Sequence, residues 1–428
     1  MTDINILSEK IKTGAFDARL KEVYNQTEEK LNINKKRLVD CIEGYKTYFK
    51  TQGEGCIFSA PGRTEIGGNH TDHQHGRVLA GSVDLDVIAT AVPNGTNKIC
   101  IKSEGFPEDI IDLEVLTPVE SEKNTSASLI RGVAAEAVAR GFKVSGFNAY
   151  TTSNVLKGSG LSSSAAFEVL VGVMVDHFFC NDSLGGVEIA KIGQKAENEF
   201  FGKPCGLMDQ MASAVGGIIS IDFKQPTAPV INKVGFNFAQ SGYSLCIVDT
   251  GGDHANLTHE YAAIPQEMKM VAACLGCNVL RETSKEKLLE NIKEIRATVG
   301  DRGVLRAMHF FEDDERAEKE AQMLAENDFD GFLKLVTQSG NSSFKYLQNV
   351  FCASNTASQP VSFALCLCEE LLGGDGAVRV HGGGFAGTVQ AFVPNEKLDS
   401  FKTGIENVLG KGMCHVLTIR PVGGCTLF

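Results

Sequence analysis

One stretch of the sequence combines glycines and serines directly ahead of an apolar run: Gly158-Ser159-Gly160-Leu161-Ser162-Ser163-Ser164-Ala165-Ala166. The glycines allow the backbone to turn and to approach a ligand closely, and serines cap the first turn of a helix. Apolar side chains recur at helical spacing over residues 165–178, so we expect a helix to begin here. Free amide groups and the positive end of a helix dipole favour an anion such as phosphate. A plain helix start with small packing residues is the alternative.

Two commoner phosphate-binding motifs do not fit the sequence. Lys157 precedes the glycines, whereas the lysine of a P-loop follows them. The residues Gly382-Gly383-Gly384-Phe385-Ala386-Gly387 have the spacing of the dinucleotide-binding fingerprint. That fingerprint must open a helix, but the alternating residues 388–393 predict a strand. We therefore exclude a Rossmann site.

A second polar stretch lies between Pro61 and Gly76. It gathers side chains of many kinds among glycines: Arg63, Glu65, Asn69, His70, Asp72, His73 and His75. Donors and acceptors that point from several directions suit a ligand with many hydroxyl groups. A metal site formed by the histidines and Asp72 is one alternative, and a plain polar loop is the other.

Two carboxylates in the middle of the chain are further candidates. Glu197 lies near the C-terminal end of a predicted helix over residues 187–201, where a solvated surface glutamate is the alternative interpretation. Asp209 lies within the apolar stretch 207–215. A carboxylate in such surroundings needs a partner or a function.

Strands and helices mix in both halves of the chain, so the sequence indicates an α+β fold. A chain of 428 residues is long for a single core. We expect a solvated helical extension over residues 1–50, a first domain over 51–225 that holds the polar stretches, and a second domain over 226–428. The boundary falls at the proline-containing segment 225–229.

The element predictions rest on periodicity and turn residues. Residues 16–32 and 35–49 predict two amphipathic helices in the extension. Residues 56–60 predict a short strand, and residues 83–92 and 98–102 predict a β-hairpin around the turn Pro93-Asn94-Gly95.

Composition excludes several classes of partner. The formal net charge of −12 argues against nucleic acid or an anionic membrane surface. No signal-peptide pattern opens the sequence, and no run of apolar residues is long enough for a membrane span. Thirteen scattered cysteines without an export signal indicate a reduced, cytoplasmic protein.

Four strings occur in the order and at the spacing of one known superfamily. They are Pro-Gly-Arg with His-Thr-Asp at 61–72, Gly-Ser-Gly-Leu-Ser-Ser-Ser-Ala-Ala at 158–166, Cys-Gly-Leu-Met-Asp-Gln at 205–210 and Gly-Gly-Gly-Phe-Ala-Gly at 382–387. Over residues 56–420 the chain resembles the galactokinase, homoserine kinase, mevalonate kinase and phosphomevalonate kinase (GHMP) superfamily. The first and third strings resemble its galactokinase branch.

The resemblance implies a two-domain fold with the active site between the domains. The N-terminal domain would be an α/β domain with a mixed sheet, and the C-terminal domain a ferredoxin-like α+β domain. The implied reaction is transfer of a phosphoryl group from ATP to the anomeric hydroxyl of a sugar, with Mg²⁺ as cofactor.

The resemblance also implies a role for individual residues. Asp209 matches the catalytic aspartate that accepts or orients the proton of the anomeric hydroxyl. Arg63 matches the arginine that pairs with it and stabilises the transferring charge. Ser164 and Glu197 match the magnesium ligands. The residues expected at the sugar are Glu65, Asn69, His70, Asp72, Gly206 and Tyr261. Those expected at ATP are Gly158, Ser159, Gly160, Leu161, Ser162, Ser163, Ser164, Gly383 and Gly384.

The polar stretch between Pro61 and Gly76, which we call the sugar stretch, departs from the pattern of the galactokinase branch at two positions. Asn69 replaces a glutamate that helps to bind the far hydroxyl of galactose, and Glu65 replaces an asparagine four residues earlier. If the two side chains meet, the exchange conserves one acid and one amide.

The departures leave three interpretations of the function. We expect an ATP-dependent sugar 1-kinase for galactose, acting on small molecules as a monomer. One rival is a kinase of the same fold for another sugar. The other rival is a non-catalytic sensor of sugar and ATP, although Asp209 and Arg63 are both present.

Overall fold

The chain forms two β-sheets with helices packed against them in a computed structural model that describes residues 1–24, 28–51, 53–156, 160–252 and 257–428. The strands of the described chain are β1 Thr2–Asp3, β2 Glu54–Gly67, β3 Arg77–Pro93, β4 Lys98–Ser103, β5 Glu108–Asp112, β6 Phe147–Ser153, β7 Ile218–Asp222, β8 Val230–Val234, β9 Tyr243–Asp249, β10 Ala377–His381, β11 Thr388–Pro394, β12 Cys414–Leu417 and β13 Cys425–Thr426. The helices are α1 Ile4–Lys12, α2 Asp17–Tyr24, α3 Glu28–Phe49, α4 Ser126–Ala139, α5 Ser163–Phe179, α6 Gly185–Lys195, α7 Met208–Val215, α8 Thr258–Cys274, α9 Lys285–Glu290, α10 Ile292–Ala325, α11 Phe329–Ser342, α12 Pro360–Leu372 and α13 Leu398–Leu409. Within these residues, no helix is long and apolar enough to cross a membrane.

The first sheet is built on the long strand β3. Its first half pairs with β7 and its second half with β6, while β2 lies antiparallel to it along both halves. β2 is buried over almost its whole length, and its side chains from Gly55 to Gly62 are apolar or small on both faces instead of alternating. The helices α4, α5, α6 and α7 form one core with this sheet.

Strand β2 is much longer than the short strand predicted at residues 56–60. It continues to Gly67 through bulges between Pro61 and Arg63 and between Glu65 and Gly67. Proline and glycine are typical of bulges, so Pro61 and Gly62 mark a bulge here and not the end of the strand. Arg63 and Glu65 therefore lie on a buried strand and not in a loop.

The predicted hairpin of residues 83–92 and 98–102 is wrong. β6 lies between β3 and β4, antiparallel to the first and parallel to the second. Asn94 of the predicted turn donates to the Asn148 side chain at 2.8 Å, so the turn holds the inserted strand. A turn motif predicts only the local path of the backbone. It does not show whether a strand from later in the sequence, here β6, inserts between the two strands that the turn connects.

The N-terminal extension is packed and not simply solvated. Three described helices, α1 to α3, replace the two predicted ones. Their apolar faces form a separate core with residues from β2 and β3, including Ile57 and Ile88. β1 adds to the edge of β2.

The second sheet is antiparallel, with the order β10-β11-β9-β12. In chain order this is the strand arrangement 2-3-1-4, and α12 and α13 pack their apolar faces on it. This is the ferredoxin-like arrangement expected for the C-terminal half, and the α+β fold is confirmed.

The first sheet extends beyond the predicted boundary at residues 225–229. β8 pairs with β7, so the chain passes to the second sheet only between β8 and β9. It returns at the other end, where β13 pairs with β2. We propose that the two units are better separated between 234 and 243, with the residues after 417 counted with the first.

Candidate active site

Arg63 on β2 and Asp209 in the first turn of α7 form an ion pair with two parallel contacts. Arg63 Nε donates to Asp209 Oδ1 at 2.8 Å, and Nη2 lies 2.7 Å from Oδ2. This fork geometry fixes the plane of the carboxylate. The Arg63 side chain is buried, whereas 30% of the Asp209 side chain is exposed, so Asp209 is the accessible member of the pair.

The stretch predicted to bind phosphate, residues 158–166, is called the phosphate stretch, and its described part, residues 160–166, contacts this pair. Ser162 Oγ donates to Asp209 Oδ2 at 2.6 Å, and Arg63 also donates to the Gly160 carbonyl. Ser162 has a φ of 55°, in the left-handed region, and the chain enters α5 immediately after it. The buried Leu161 accepts from the Arg63 backbone amide at 3.0 Å and anchors the turn.

The remaining residues of this stretch differ in accessibility. Ser164 in the first turn of α5 is exposed, and Ser163 is half-buried. Gly158 and Ser159, which we predicted at the phosphates, lie outside the described residues.

Glu197 is a buried residue of a π-helical turn, Ala196–Phe201, which follows α6. Its Oε2 accepts from Gln210 Nε2 at 2.9 Å, and its Oε1 lies 3.6 Å from Lys203 Nζ. Glu197 is therefore not the solvated surface residue of the alternative interpretation. Gln210, which donates to Glu197, is the residue directly after Asp209.

A second buried acid, Glu168, lies behind Glu197. It is fully buried on α5, one helical turn after Ser164, and its Oε2 accepts from the same Gln210 Nε2 at 2.9 Å. Burial, and next the charge of Glu197, raise the pKa of Glu168 well above its usual range.

His70 and Asp72 follow the end of β2 at Gly67, and Asp72 begins a short helical turn, Asp72–Gln74. His70 Nε2 contacts the Gly383 carbonyl at 3.1 Å, while its Nδ1 is buried and, among the described residues, has no partner. Burial and the neighbouring His73 lower the pKa of His70 to about 4. Gly206 lies against Asp72, because a Cβ at Gly206 would be 2.5 Å from Asp72 Oδ2.

The alternative of a histidine metal site gains no support from these positions. In the part of the chain that the structure describes, no group of three or more His, Cys, Asp or Glu side chains is placed to hold a metal ion.

Asn69 and Glu65, the two departures from the branch pattern, are in contact. Asn69 Nδ2 donates to Glu65 Oε1 at 2.9 Å and to the Gly382 carbonyl at 2.8 Å. Its Oδ1 accepts from Asn349 at 2.9 Å and from Ser343 at 3.2 Å. The fully buried Asn69 side chain therefore has every hydrogen-bonding position filled by protein. The structure leaves it no polar atom for a sugar, and its assignment as a sugar ligand stays a prediction.

The Glu65 carboxylate is held by a buried arginine. Arg379 Nη2 donates to Glu65 Oε1 at 2.6 Å, and the Arg379 side chain is fully buried. Burial raises the pKa of Glu65, while Arg379 and the Asn69 amide oppose this shift.

Two side chains of α10 hold the backbone of Asn69. The Asn69 amide donates to Asp313 Oδ2 at 2.8 Å, and His309 Nε2 donates to the Asn69 carbonyl at 2.9 Å. Both side chains are fully buried. Hydrogen bonds from α10 thus hold the backbone of the sugar stretch at Asn69.

The glycine loop at 382–387 packs on the sugar stretch and on α8. Tyr261 Oη donates to the Gly384 carbonyl at 3.0 Å, and a Cβ at Gly383 would be 2.7 Å from the Tyr261 ring. Gly384 has a φ of 84° and lies against the Asn349 carbonyl. Gly383 and Gly384 therefore contact residues on the sugar side, and their assignment to ATP stays a prediction.

His381 joins the two halves of the site. Its Nε2 accepts from the Glu65 amide at 3.3 Å, and its Nδ1 lies 2.9 Å from Thr388 Oγ1. Burial, and then the charges of Arg63 and Arg379, lower the pKa of His381 well below its usual range. The buried His381 imidazole is therefore neutral.

Sequence reasoning missed several of these residues. Glu168 and Gln210 carried a signal, since Glu168 follows Ser164 by one helical turn and Gln210 follows Asp209 directly. Arg379, His309 and Asp313 carried none, because only the folded chain brings them to β2.

Profiles of two families match the segments that carry the site. The family described as "GHMP kinases N terminal domain" matches residues 128–217, and the "Galactokinase galactose-binding signature" matches residues 43–93. The first contains the phosphate stretch and Asp209, and the second contains Arg63 and the sugar stretch.

Two relatives are similar over most of their length. A galactokinase from Actinobacillus pleuropneumoniae is 30% identical over 353 residues, which cover 80% of this chain and 86% of that protein. A galactokinase from Thermotoga petrophila is 32% identical over 337 residues, which cover 77% of this chain and 87% of that protein.

Solved structures share the fold. The galactokinase of Lactococcus lactis, complexed with galactose, superposes with a TM-score of 0.75 at 24% identity, over 89% of this chain and 97% of that one. The mevalonate kinase of Methanococcus jannaschii gives a TM-score of 0.61 at 16% identity, over 86% and 99%. The fold, the order of the site residues and the identity to these relatives together show that the chain belongs to the galactokinase family of the GHMP kinases.

Proposed function

We propose that this protein transfers the γ-phosphoryl group of ATP to the anomeric hydroxyl of galactose. The observation that carries the proposal is the accessible Asp209 carboxylate, which is held by Arg63 and touched by Ser162 of the phosphate stretch. One carboxylate thus lies where a phosphate-binding helix start and a polar sugar stretch meet. Catalysis of phosphoryl transfer consists largely of such positioning.

Asp209 is the acceptor for the proton of the sugar hydroxyl. As the bond between this oxygen and the γ-phosphorus forms, the proton passes to Asp209, and the bond to the bridging oxygen breaks to release ADP. Arg63 directs positive charge to the same place and stabilises the transferring group. Because both Arg63 contacts restrain the carboxylate, Asp209 keeps one orientation without a bound sugar.

The residues that match the magnesium ligands fit this cation. Glu197 supplies a carboxylate, the exposed Ser164 supplies a hydroxyl at the start of α5, and Glu168 Oε1 is a buried acceptor without a partner among the described residues. Hard oxygen donors are what Mg²⁺ prefers. When bound, Mg²⁺ neutralises negative charge on the phosphates. We propose that Ser164 and Glu197 hold it.

The sugar side of the site offers two polar groups, on His70 and Asp72. Because the His70 pKa lies near 4, the ring is neutral at pH 7. Nε2 faces a carbonyl and carries the proton, so Nδ1, which no described residue pairs with, is an acceptor for a hydroxyl group. Asp72 Oδ2 lies beside Gly206 and is a second acceptor. Tyr261 closes this side through the glycine loop.

A second candidate is a 1-kinase for another hexose of related shape. One observation favours it: Asn69 is saturated by protein contacts, so the far hydroxyl of the sugar lacks the glutamate that the branch pattern places there. Recognition at that hydroxyl then depends on Glu65, which Arg379 and Asn69 already hold.

The test is coupled ADP release with galactose, 6-deoxygalactose, 2-deoxygalactose, glucose and mannose, at saturating MgATP. We expect galactose to give the highest kcat/KM and a 1-phosphate as the product, identified by ³¹P NMR. A protein that ignores galactose but phosphorylates another sugar would support the second candidate. ATP and sugar binding without turnover on any sugar would support a sensor. Monomeric state and cytoplasmic location stay predictions, which gel filtration and fractionation would check.

A further inference from the structure

Glu168 is a buried acid that the proposed reaction does not yet use. It lies on α5 one turn after Ser164, and no part of its side chain is exposed. Its Oε1 has no hydrogen-bond partner among the described residues. Buried carboxylates are normally paired or hydrogen-bonded at both oxygens. The orphaned oxygen therefore points to a role beyond packing.

Gln210 joins this acid to Glu197. Its single Nε2 donates to Glu168 Oε2 and to Glu197 Oε2, both at 2.9 Å. Gln210 is fully buried, and its own Oε1 is without a partner within the described chain. Both amide hydrogens are spent on carboxylates, so the orientation of the amide group is fixed by these two acids.

Little positive charge offsets the two acids. Among the described residues, the one ion pair to either is that of Glu197 with Lys203, at 3.6 Å, and 64% of the Lys203 side chain is exposed. Gly193 on α6 packs against the side chains of Glu168 and Gln210, and it has no side chain that could displace them. A Cβ there would be 3.3 Å from both the Glu168 and the Gln210 side chains.

We propose that Glu168 and Gln210 are positioning residues for the metal of the kinase reaction, an inference that rests on the proposed function. Glu168 fixes the Gln210 amide, and this amide holds Glu197 Oε2. That leaves Glu197 Oε1, whose one described partner is the exposed Lys203 at 3.6 Å, as the oxygen for the metal. Because Gln210 follows Asp209 on α7, the same amide also ties the metal carboxylate to the helix of the catalytic aspartate. Partners that orient a metal ligand commonly contribute tenfold or more to metal affinity.

The test measures metal binding directly and not only activity. Mn²⁺ is titrated into the protein with the non-hydrolysable nucleotide AMP-PNP, and free Mn²⁺ is followed by electron paramagnetic resonance. We expect Glu168→Gln and Gln210→Met each to weaken Mn²⁺ binding by about tenfold, and Glu197→Gln to weaken it at least as much. In kinetics, the Mg²⁺ activation constant should rise while the KM for galactose stays within about twofold.

Asp176→Asn is the matched control. Asp176 is a buried acid on the same helix, and its carboxylate accepts from the Leu184 amide at 3.1 Å, away from Glu197. This variant should bind Mn²⁺ like the wild type even if its melting temperature falls.

The outcomes separate this inference from the proposed function. If Glu168→Gln and Gln210→Met lower the melting temperature but bind Mn²⁺ as tightly as the wild type, the two residues are structural and the inference is overturned. The same holds if Glu197→Gln binds Mn²⁺ normally. If all three variants lose Mn²⁺ while the wild type phosphorylates no sugar, the positioning role stands and the proposed function fails.

Discussion

The Asn69 carboxamide donates to the Glu65 carboxylate across 2.9 Å, and Arg379 donates to the same carboxylate oxygen at 2.6 Å. The two residues that depart from the branch pattern thus form one buried unit. An acid and an amide are both kept, but their positions on β2 and in the sugar stretch are exchanged. This pairing changes what should happen when either residue is altered.

We expect Asn69→Glu alone to be harmful. It would place two carboxylates side by side and leave the Gly382 carbonyl without its donor, which together cost about 1–3 kcal/mol or more. Urea unfolding and kcat/KM for galactose measure the loss. If the Asn69 side chain were instead open to the sugar, Asn69→Glu would sharpen the preference for galactose over 6-deoxygalactose.

The double variant Glu65→Asn with Asn69→Glu should recover much of this loss. It restores one acid and one amide within hydrogen-bonding distance, so the two changes should be strongly non-additive. Glu65→Asn alone is the control, since it leaves Arg379 without its acid. Additive losses in the double-mutant cycle would mean that the contact contributes little.

Asp209→Asn should remove turnover and spare nucleotide binding. The substitution keeps the shape of the side chain but removes the proton acceptor, so we expect kcat to fall by about 10²–10⁴-fold. The Kd for AMP-PNP, measured by calorimetry, should stay within about threefold of the wild-type value. An Asp209→Asn enzyme with kcat within about tenfold of the wild type would remove Asp209 from the catalytic role.

Gly206→Ala should raise the KM for the sugar. The new Cβ would lie 2.5 Å from Asp72 Oδ2 and displace this carboxylate. We expect KM for galactose to rise about tenfold with a smaller change in KM for ATP. Gly235→Ala is the matched control, since no described residue other than its chain neighbours lies within 4 Å of its new Cβ. An equal rise in both KM values would point to a general disturbance and not to the sugar side.

Glu320→Gln should stabilise the protein, and more so at higher pH. Glu320 is fully buried on α10 with neither oxygen paired among the described residues, and burial raises its pKa well above the usual range. The folded state therefore keeps a proton that the unfolded state loses above about pH 4.5, so the wild type loses stability as pH rises, by at most about 1.4 kcal/mol per unit. The gain from Glu320→Gln should grow between pH 5 and pH 8.

Glu136→Gln gives the opposite sign and serves as the contrast. Lys195 and Arg140 hold the pKa of Glu136 below its usual range, against the effect of its own burial. Its contribution is present above the unfolded pKa and is lost as pH falls. A stability difference for Glu320→Gln that does not change with pH in urea titrations would show that the acid finds a partner in solution.

Local patterns predicted the elements that start the site, but not the contacts that complete it. The helix after Ser162 and the strand after Gly387 were predictable from periodicity. The pairing of Arg63 with Asp209 was predicted from the resemblance to the superfamily. The contact of Glu65 with Asn69 was foreseeable because the two residues are only four positions apart. Arg379 is 314 positions from Glu65, and no short-range pattern links them. The length of β2 could not be predicted because Pro61 and Gly62, which are typical of a strand end, lie at a bulge inside the strand.

The segment after β12 ties the fold together in a way that affects how it can be made. Arg420 reaches Ser59 and Asp86, the first of them 361 positions earlier, and β13 lies along β2. The strand that carries Arg63 therefore lacks a neighbour, and the buried Asp86 lacks one of its cations, until residues 417–428 have been synthesised. Contacts of such long range slow folding. An N-terminal half cut at residue 225 should fail to fold on its own, so the nascent chain would expose this edge until residues 417–428 have left the ribosome.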